Sequence, residues 1–256
     1  MYKLYRDFQN KSKDIAILKD LAKAINKFGF HCSYKNFIYE RPFSKKDNYI
    51  IDLILEYAEK IENFNIKLGM LYSLGVPGFD DAIPYLCDLF EKYVANNYNE
   101  PTDEIYMQQL GNIIFDIKSV KYKELYKKII NSKICPSSAV FIELIDELKI
   151  SDFDDDILKV IYRENVIPNQ WLGSVSETDK YWYSEIALIY ILNRKDDKYD
   201  YLIEVFKSPE KLEWISFVES SDKQTNYKTC YNRYKKIASN AEKYKSIKKK
   251  IKPLIY

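Results

Sequence analysis

The chain has 256 residues, and its 40 basic and 38 acidic side chains leave a formal net charge of +2. Hydrophobic residues make up 46% of the sequence, which is enough for a sizeable core and excludes wholesale disorder. Six glycines and eight prolines are too few for an all-β or linker-rich protein.

Helical periodicity recurs along the chain. Apolar residues at positions i, i+3, i+4 and i+7 form a stripe on one face of each predicted helix. Such stripes are Leu18, Leu21, Ala22 and Ile25; Tyr122, Leu125, Tyr126 and Ile129; Phe141, Leu144, Ile145 and Leu148; and Tyr199, Leu202, Ile203 and Phe206. Glycine and proline fall between the stripes, and the alternation typical of strands is scarce. The sequence therefore predicts an all-α fold of roughly ten to twelve helices.

The predicted helices come in pairs. A helix with Leu68, Leu71 and Leu74 ends at Gly75, and a second helix carries Ile83, Leu86, Cys87 and Phe90. The following pairs are 103–117 with 121–131, 137–149 with 152–164, and 181–193 with 196–207. Successive pairs begin roughly 30 to 45 residues apart, a period typical of stacked two-helix repeats. Neither helix can bury its stripe alone, so we expect neighbouring pairs to stack into a continuous core.

Residues 74–86 resemble a HEAT-type repeat. Leu74-Gly75 is followed, after four residues, by the run Asp80-Asp81-Ala82-Ile83-Pro84-Tyr85-Leu86. In that family a helix ends near Leu-Gly, and an Asp-led turn precedes a helix that opens on Ala-(Ile/Val)-Pro. The match is specific over about 65–95 and only periodic over 100–207. It implies a short HEAT-like α-solenoid, an α–α superhelix of stacked antiparallel pairs; the alternative is an irregular helical bundle.

Three parts of one continuous domain follow from this pattern. We expect an atypical or capping helical segment over 1–64, HEAT-like pairs over 65–207, and C-terminal capping helices with a basic tail over 208–256. Charge is segregated along the chain: the net charge is +6 over 1–50, −6 over 51–100, −5 over 151–200 and +7 over 201–256. A repeat protein lays sequence order out in space, so we expect an acidic middle between basic ends.

The basic tail, Lys223–Lys252, carries eleven Lys or Arg residues against one acid, Glu242. Tyrosines such as Tyr234 run through it at helical spacing. The structural interpretation, which we favour, is a capping helix whose tyrosines pack on the last repeat. The functional alternative is that lysines bind phosphates while tyrosines stack on bases.

Catalytic patterns are scarce. His31 is the only histidine, which excludes His-rich metal sites and two-His zincin motifs. Nucleotide-binding and serine-hydrolase motifs are missing from the sequence, and the aspartates of Asp152–Asp156 lack the Gly and Glu that a calcium loop needs. The four cysteines form no CxxC pair, so we expect buried thiols in a reducing compartment. We expect no catalytic residue, no metal and no cofactor.

Targeting and membrane signals are also missing. No run approaches the roughly 20 apolar residues of a membrane span. Met1–Asp7 lacks the apolar run of a signal peptide, so we expect a cytoplasmic protein with no membrane contact.

One long segment does not fit the repeat pattern. Asn165–Lys180 joins two strong predicted helices, and loops of this length are often functional. Aromatic and acidic residues together suit a surface for a basic protein. The candidate partner-binding residues are Trp171, Glu177, Asp179, Trp182 and Tyr183. The alternative is that the tryptophans pack into the core.

These features favour a non-enzymatic protein that binds another, basic protein through an acidic surface carrying aromatic residues. One version is an inhibitor or immunity-type protein that neutralises a toxin, because helical-repeat folds are used in that way. The alternative is a HEAT-like nucleic-acid-binding protein or a DNA-alkylation-repair-type glycosylase, with Trp171, Asp179, Trp182 and Glu185 as its cluster. That cluster lies in a net-acidic part of the chain, which argues against the enzyme. A scaffold subunit without activity is a third possibility.

Overall fold

The structure is a computed structural model that describes residues 12–95, 101–132, 139–162, 183–194, 196–207, 232 and 235–242. Over these residues every regular element is a helix, which confirms the predicted all-α class. Contacts divide the chain into two compact units, Met1–Lys149 and Ile150–Tyr256, called unit 1 and unit 2. The boundary falls between the two helices of the predicted pair 137–149 and 152–164.

Unit 1 holds eight α-helices among its described residues. They are α1 (Ser12–Asn26), α2 (Asn36–Tyr39), α3 (Ile51–Lys60), α4 (Phe64–Leu71), α5 (Ile83–Ala95), α6 (Pro101–Ile117), α7 (Lys123–Asn131) and α8 (Ala139–Glu147). Short 3₁₀ helices lie at Lys45–Ile50, Tyr72–Leu74 and Asp80–Ala82. Within the described parts of unit 2 lie α9 (Asp154–Tyr162), α10 (Tyr183–Asn193), a 3₁₀ helix at Asp197–Tyr199, α11 (Asp200–Lys207) and a helical stretch over 235–242, here α12.

The predicted apolar stripes are the buried faces of these helices. All four stripe residues of α1 are buried, as are Ile83, Leu86, Cys87 and Phe90 of α5. Pro84 is exposed in the first turn of α5, where a proline costs no backbone hydrogen bond. Burial of these faces removes apolar area from water and is the main force that holds the helices together.

Helix contacts in unit 1 join elements that are near in sequence. From α4 onward, α4 contacts α6, α6 contacts α8, and α5 contacts α7. Helix α5 also contacts α6, and α7 contacts α8. Further contacts join α1 to α3 and α2 to α4. The contacts between α5 and α6 and between α7 and α8 join the second helix of one predicted pair to the first helix of the next.

The Leu74-Gly75 turn contacts an arginine from far along the chain. A Cβ atom on Gly75 would lie 2.9 Å from both Cζ and Nη2 of Arg41. The guanidinium of Arg41 stacks over the ring of Tyr72 at 4.1 Å and pairs with Asp116 of α6 at 2.5 Å. Gly75 is thus required by a close approach, and the arginine connects the chain before α3 to α6.

In unit 2, α9 and α10 are antiparallel. The hydroxyl of Tyr190, near the end of α10, lies 3.0 Å from Oδ1 of Asp154, the first residue of α9. Helix α12 packs within this unit, because Ala238 is fully buried and Glu242 pairs with Lys207 of α11 at 3.0 Å. These contacts agree with the structural interpretation of the tail over 235–242. Most of the predicted helix 223–252, including Tyr234, lies outside the described residues.

Candidate functional site

The predicted partner-binding residues fall mostly outside the part of the chain that the structure describes. Trp171, Glu177, Asp179 and Trp182 belong to 163–182, which is not described. Tyr183 is the first residue of α10, and its side chain is likewise not described. Their grouping into one surface therefore stays a prediction.

Chain connectivity fixes where 163–182 is attached. This segment leaves the carboxyl end of α9 and enters the amino end of α10. Because α9 and α10 are antiparallel, both attachment points lie at the same end of the helix pair. A nine-residue helix is about 13 Å long, so the opposite end of α9 is about that far away.

Aspartates are concentrated at that opposite end. We call this region the acidic end. It consists of residues 152–156, which lead into and form the first turn of α9, and of residues 196–200, which follow α10. Its aspartates are Asp152, Asp154, Asp155, Asp156, Asp196, Asp197 and Asp200. Asp154, Asp155 and Asp156 occupy the first turn of α9, where carboxylates are stabilised by the positive end of the helix dipole. The predicted helix 152–164 is observed as α9, which begins two residues later, at Asp154.

Asp154 joins the two acidic stretches. Its carboxylate lies 3.0 Å from the Tyr190 hydroxyl, 3.2 Å from Nε of Arg194 and 3.4 Å from the Tyr199 hydroxyl. Tyr190 also lies 2.9 Å from the carbonyl oxygen of Ile150, and Arg194 donates to that same oxygen. The guanidinium of Arg194 stacks over the Tyr190 ring at 4.3 Å. One carboxylate therefore holds the start of α9, the end of α10 and the 3₁₀ helix together.

The two tyrosines of this cluster remain protonated at neutral pH. Burial raises the pKa of Tyr190 well above its usual range, and the nearby Asp154 carboxylate raises it further against the opposing effect of Arg194. Burial also raises the pKa of Tyr199. Both hydroxyls thus keep the proton that a hydrogen bond to the carboxylate needs. This geometry suits positioning of the acidic end.

Not all of the acidic end is equally accessible. Asp155 is exposed, and so are Asp152, Asp196 and Asp197. Asp156 is buried and pairs with Lys159 at 3.5 Å, while Asp196 pairs with Lys198 at 3.4 Å. A charged partner would therefore meet chiefly the exposed members.

Acidic residues of 51–95 form ion pairs with lysines from other segments, whereas the sequence predicts an acidic middle between basic ends. Glu62 pairs with Lys13, Asp81 with Lys121, and Glu91 with Lys128. These lysines come from segments before and after the acidic stretch, because folding brings helices from different segments together. The net charge of −6 over 51–100 is thus partly neutralised at the surface of unit 1.

The remaining candidates for chemistry are isolated. His31 is exposed, and Cys32 is half-buried, so the expectation of buried thiols is not met at Cys32. Cys87 is buried as expected, and burial raises its pKa to about 12. Cys135 and Cys230 lie outside the described residues. Within the described ranges no group of three or more His, Cys, Asp or Glu side chains could hold a metal ion.

Sequence reasoning missed the Asp154 cluster. The i, i+4 spacing of Tyr190, in α10, and Arg194, directly after it, was a signal that both side chains lie on one side of the chain. Their meeting with an aspartate about 40 residues earlier depends on the tertiary fold, which periodicity does not reveal.

Comparison with protein-family models, curated proteins and solved structures finds no match to the chain. None of the helices in the described residues combines the length and apolar character needed to cross a membrane.

Proposed function

We propose that the chain is a non-enzymatic helical-repeat protein that holds a basic protein through unit 2. The observation that carries this proposal is the Asp154 cluster, which joins the acidic stretches 152–156 and 196–200 into one end of the α9–α10 pair. Exposed carboxylates on a positioned framework attract a basic partner and reject acidic ones.

The proposed architecture is a short HEAT-like solenoid. Its support is the order of contacts from α4 to α8: α4 contacts α6, α5 contacts α7 and α6 contacts α8, so each helix contacts its counterpart in the next helix pair. Sequential nearest-neighbour contacts of this kind are what stacked two-helix repeats require. The resemblance of residues 74–86 to a HEAT repeat points the same way.

Two separate contact regions make up the proposed binding face. The acidic end supplies charge, and the segment 163–182 supplies Trp171 and Trp182 as aromatic anchors. Since the two regions start about 13 Å apart along α9, a partner that contacts both must span about that distance. Buried aromatic anchors carry most of the affinity of an interface, while rim charges mainly set the association rate.

One biological version is an inhibitor or immunity-type protein that neutralises a basic toxin. This version rests on analogy at the level of the fold, since helical-repeat surfaces are used to hold other proteins. A cytoplasmic location is part of the same proposal.

Affinity capture from the native host with matched baits tests the proposal. The charge-reversal bait carries Asp155→Lys and Asp197→Lys, and the control bait carries the same change at Asp52 and Glu124 of unit 1. All four residues are exposed, so the folds of the baits should be equally stable. A partner of unit 2 is recovered with the unmodified and control baits and lost with the charge-reversal bait.

Binding kinetics with the recovered partner then distinguish the contribution of the acidic end from that of the aromatic anchors. Charge reversal should slow association and reduce its dependence on salt, whereas Trp171→Ala or Trp182→Ala should speed dissociation. A Trp variant that unfolds reports on the core, and that anchor would be withdrawn. Equal recovery with all three baits would place the binding face elsewhere.

A further inference from the structure

Two large aromatic rings are exposed side by side in unit 1. Phe28 is 56% exposed and Tyr49 is 52% exposed. Their ring centroids are 5.6 Å apart with an interplanar angle of 54°. Exposed aromatic residues that touch each other form an apolar patch, and such patches often mark binding sites.

The loop that carries Phe28 is braced at its base. The Asn26 side chain donates to the carbonyl oxygen of Cys32 at 2.9 Å and accepts from the Cys32 amide at 2.7 Å. This pair of hydrogen bonds closes the loop between α1 and Cys32. Gly29 at its tip has φ of 90°, a conformation that favours glycine. The position of Phe28 is therefore set by local hydrogen bonds and not by burial of its ring.

Tyr49 is positioned by a 3₁₀ helix with its own cap. The Asp47 carboxylate accepts from the Ser44 amide at 2.8 Å and from the Ser44 hydroxyl at 2.7 Å. Lys46 comes directly before a kink at Asp47, where φ is −97° and ψ is 16°, and Tyr49 follows that kink. Asp47 is buried beneath the cap and is committed to Ser44.

Three lysines lie close to the two aromatic residues in sequence. Lys27 directly precedes Phe28, and Lys45 and Lys46 open the helix of Tyr49; all three lysines are exposed. Over the described residues, no carboxylate forms an ion pair with any of these three ammonium groups. Other lysines of unit 1, such as Lys121 and Lys128, are paired with acids. The segments that carry the exposed rings therefore hold three lysines without a paired carboxylate, and the stem of Lys45 lies against Gly78.

We propose that this surface, formed by Lys27, Phe28, Lys45, Lys46 and Tyr49, binds single-stranded nucleic acid. Single-strand binding combines lysines that contact phosphates with aromatic rings on which bases stack. The two rings give stacking faces for unpaired bases, and the three free ammonium groups complement the phosphates. The separated charges and small aromatic patch suit this occupant better than a membrane, which needs a larger apolar face. This surface is distinct from the acidic end and does not depend on the protein partner.

Fluorescence anisotropy with a labelled oligothymidylate of about 12 nucleotides tests the proposal on the full chain. The unmodified protein should bind with a slope of log K against log salt of about −2, as expected for about three phosphate contacts. Phe28→Ala or Tyr49→Ala should weaken binding at least about fivefold, because each removes one stacking face. Changing Lys27, Lys45 and Lys46 to Gln should remove the salt dependence.

Matched variants control for charge and for loss of an aromatic ring. The triple change of Lys92, Lys121 and Lys128 to Gln alters the net charge equally, and Tyr201→Ala removes an exposed ring from unit 2. Both controls should bind the oligonucleotide as the unmodified protein does. Thermal unfolding should give similar Tm values for all variants, since every changed side chain is exposed.

Several outcomes would overturn the assignment. One is no measurable binding at about 50 mM salt, where phosphate contacts are strong. Another is equal weakening by the test and control lysine changes, which would indicate attraction to net charge alone. The third is tighter binding to poly-glutamate or to anionic lipid vesicles than to the oligonucleotide, with that tighter binding lost in the Phe28→Ala variant. A preference for poly-glutamate would assign the surface to an acidic protein, and a preference for vesicles would assign it to a membrane.

Discussion

Substitution of Gly75 by alanine tests the contact between the Leu74-Gly75 turn and Arg41. The new Cβ would lie 2.9 Å from Cζ and Nη2 of Arg41, closer than such atoms can approach. The guanidinium must then leave the ring of Tyr72, 4.1 Å away, and the carboxylate of Asp116. The backbone of Gly75, with φ of −70°, accepts alanine without strain.

The expected cost follows from the contacts that are lost. A cation–π contact at a partly exposed site contributes about 0.5–1 kcal/mol. An ion pair whose side chains are 27% and 36% exposed is partly screened and contributes about 0.5–1 kcal/mol. Alanine in place of glycine returns about 0.4–1 kcal/mol by restricting the unfolded chain. Gly75→Ala should therefore lower the free energy of unfolding, by up to about 1.6 kcal/mol.

In a double-mutant cycle, the sign of the change in unfolding free energy caused by Gly75→Ala is the decisive result. In a chain carrying Arg41→Ala, the obstacle is gone, and Gly75→Ala should stabilise the protein by about 0.5 kcal/mol. Gly69→Ala is the matched control within α4, because its Cβ would lie 3.4 Å from the Ile38 side chain and 3.8 Å from the Ile38 backbone, which are ordinary contact distances. This change should be neutral or stabilising. Urea unfolding followed by far-UV circular dichroism, with hydrogen exchange of peptides from 64–95, measures each term. Destabilisation by Gly75→Ala that persists without Arg41 would refute the contact.

Three further changes test other contacts. Asp154→Ala should lower the free energy of unfolding of unit 2 by at least about 2 kcal/mol, because Arg194 and two tyrosines lose their acceptor. Tyr199→Phe removes one hydrogen bond and should lower it by less than about 1 kcal/mol. Equal decreases for the two variants in urea unfolding would contradict the cluster. Burial raises the pKa of Cys87 to about 12, so roughly one thiol in ten thousand is ionised at pH 8. Iodoacetamide should then label it only after unfolding, as mass spectrometry of its peptide can show; rapid labelling of the folded protein would contradict its burial. Ala238→Lys should lower Tm because it buries an ammonium group. Ser239→Lys places the same group at an exposed position and should leave Tm unchanged. Equal Tm values for the two variants would show that α12 is not packed through Ala238.

Local elements were predictable from the sequence because apolar periodicity reports which face of a helix is buried. The stripe of α1 predicts its buried side correctly, and the predicted helix 121–131 differs from the observed Lys123–Asn131 only at its start. The aspartate run at 154 marks the start of α9 for an equally local reason, the charge at the end of a helix dipole.

Contacts between distant residues were not predictable in the same way. Arg41 meets Asp116 across 75 residues, and Arg194 meets Asp154 across 40 residues. Periodicity carries no information about which two side chains meet at such separations. For the same reason, segment charges did not predict that Lys13 and Lys128 neutralise acids of the 51–95 stretch.

The sequence singled out Asn165–Lys180 by its length and its aromatic and acidic residues, and the role of this segment in binding stays a prediction. The exposed pair Phe28 and Tyr49 escaped notice because each lies in a segment where apolar residues are expected to be buried. Only the fold shows that the two rings are exposed and touch each other.

Hydrogen exchange of unit 2 with and without the captured partner tests the central claim most directly. Binding should slow exchange in peptides covering 152–156, 163–182 and 196–200 and leave exchange in peptides from α3 and α5 unchanged. Protection confined to unit 1, with peptides of the acidic end unaffected, would contradict it.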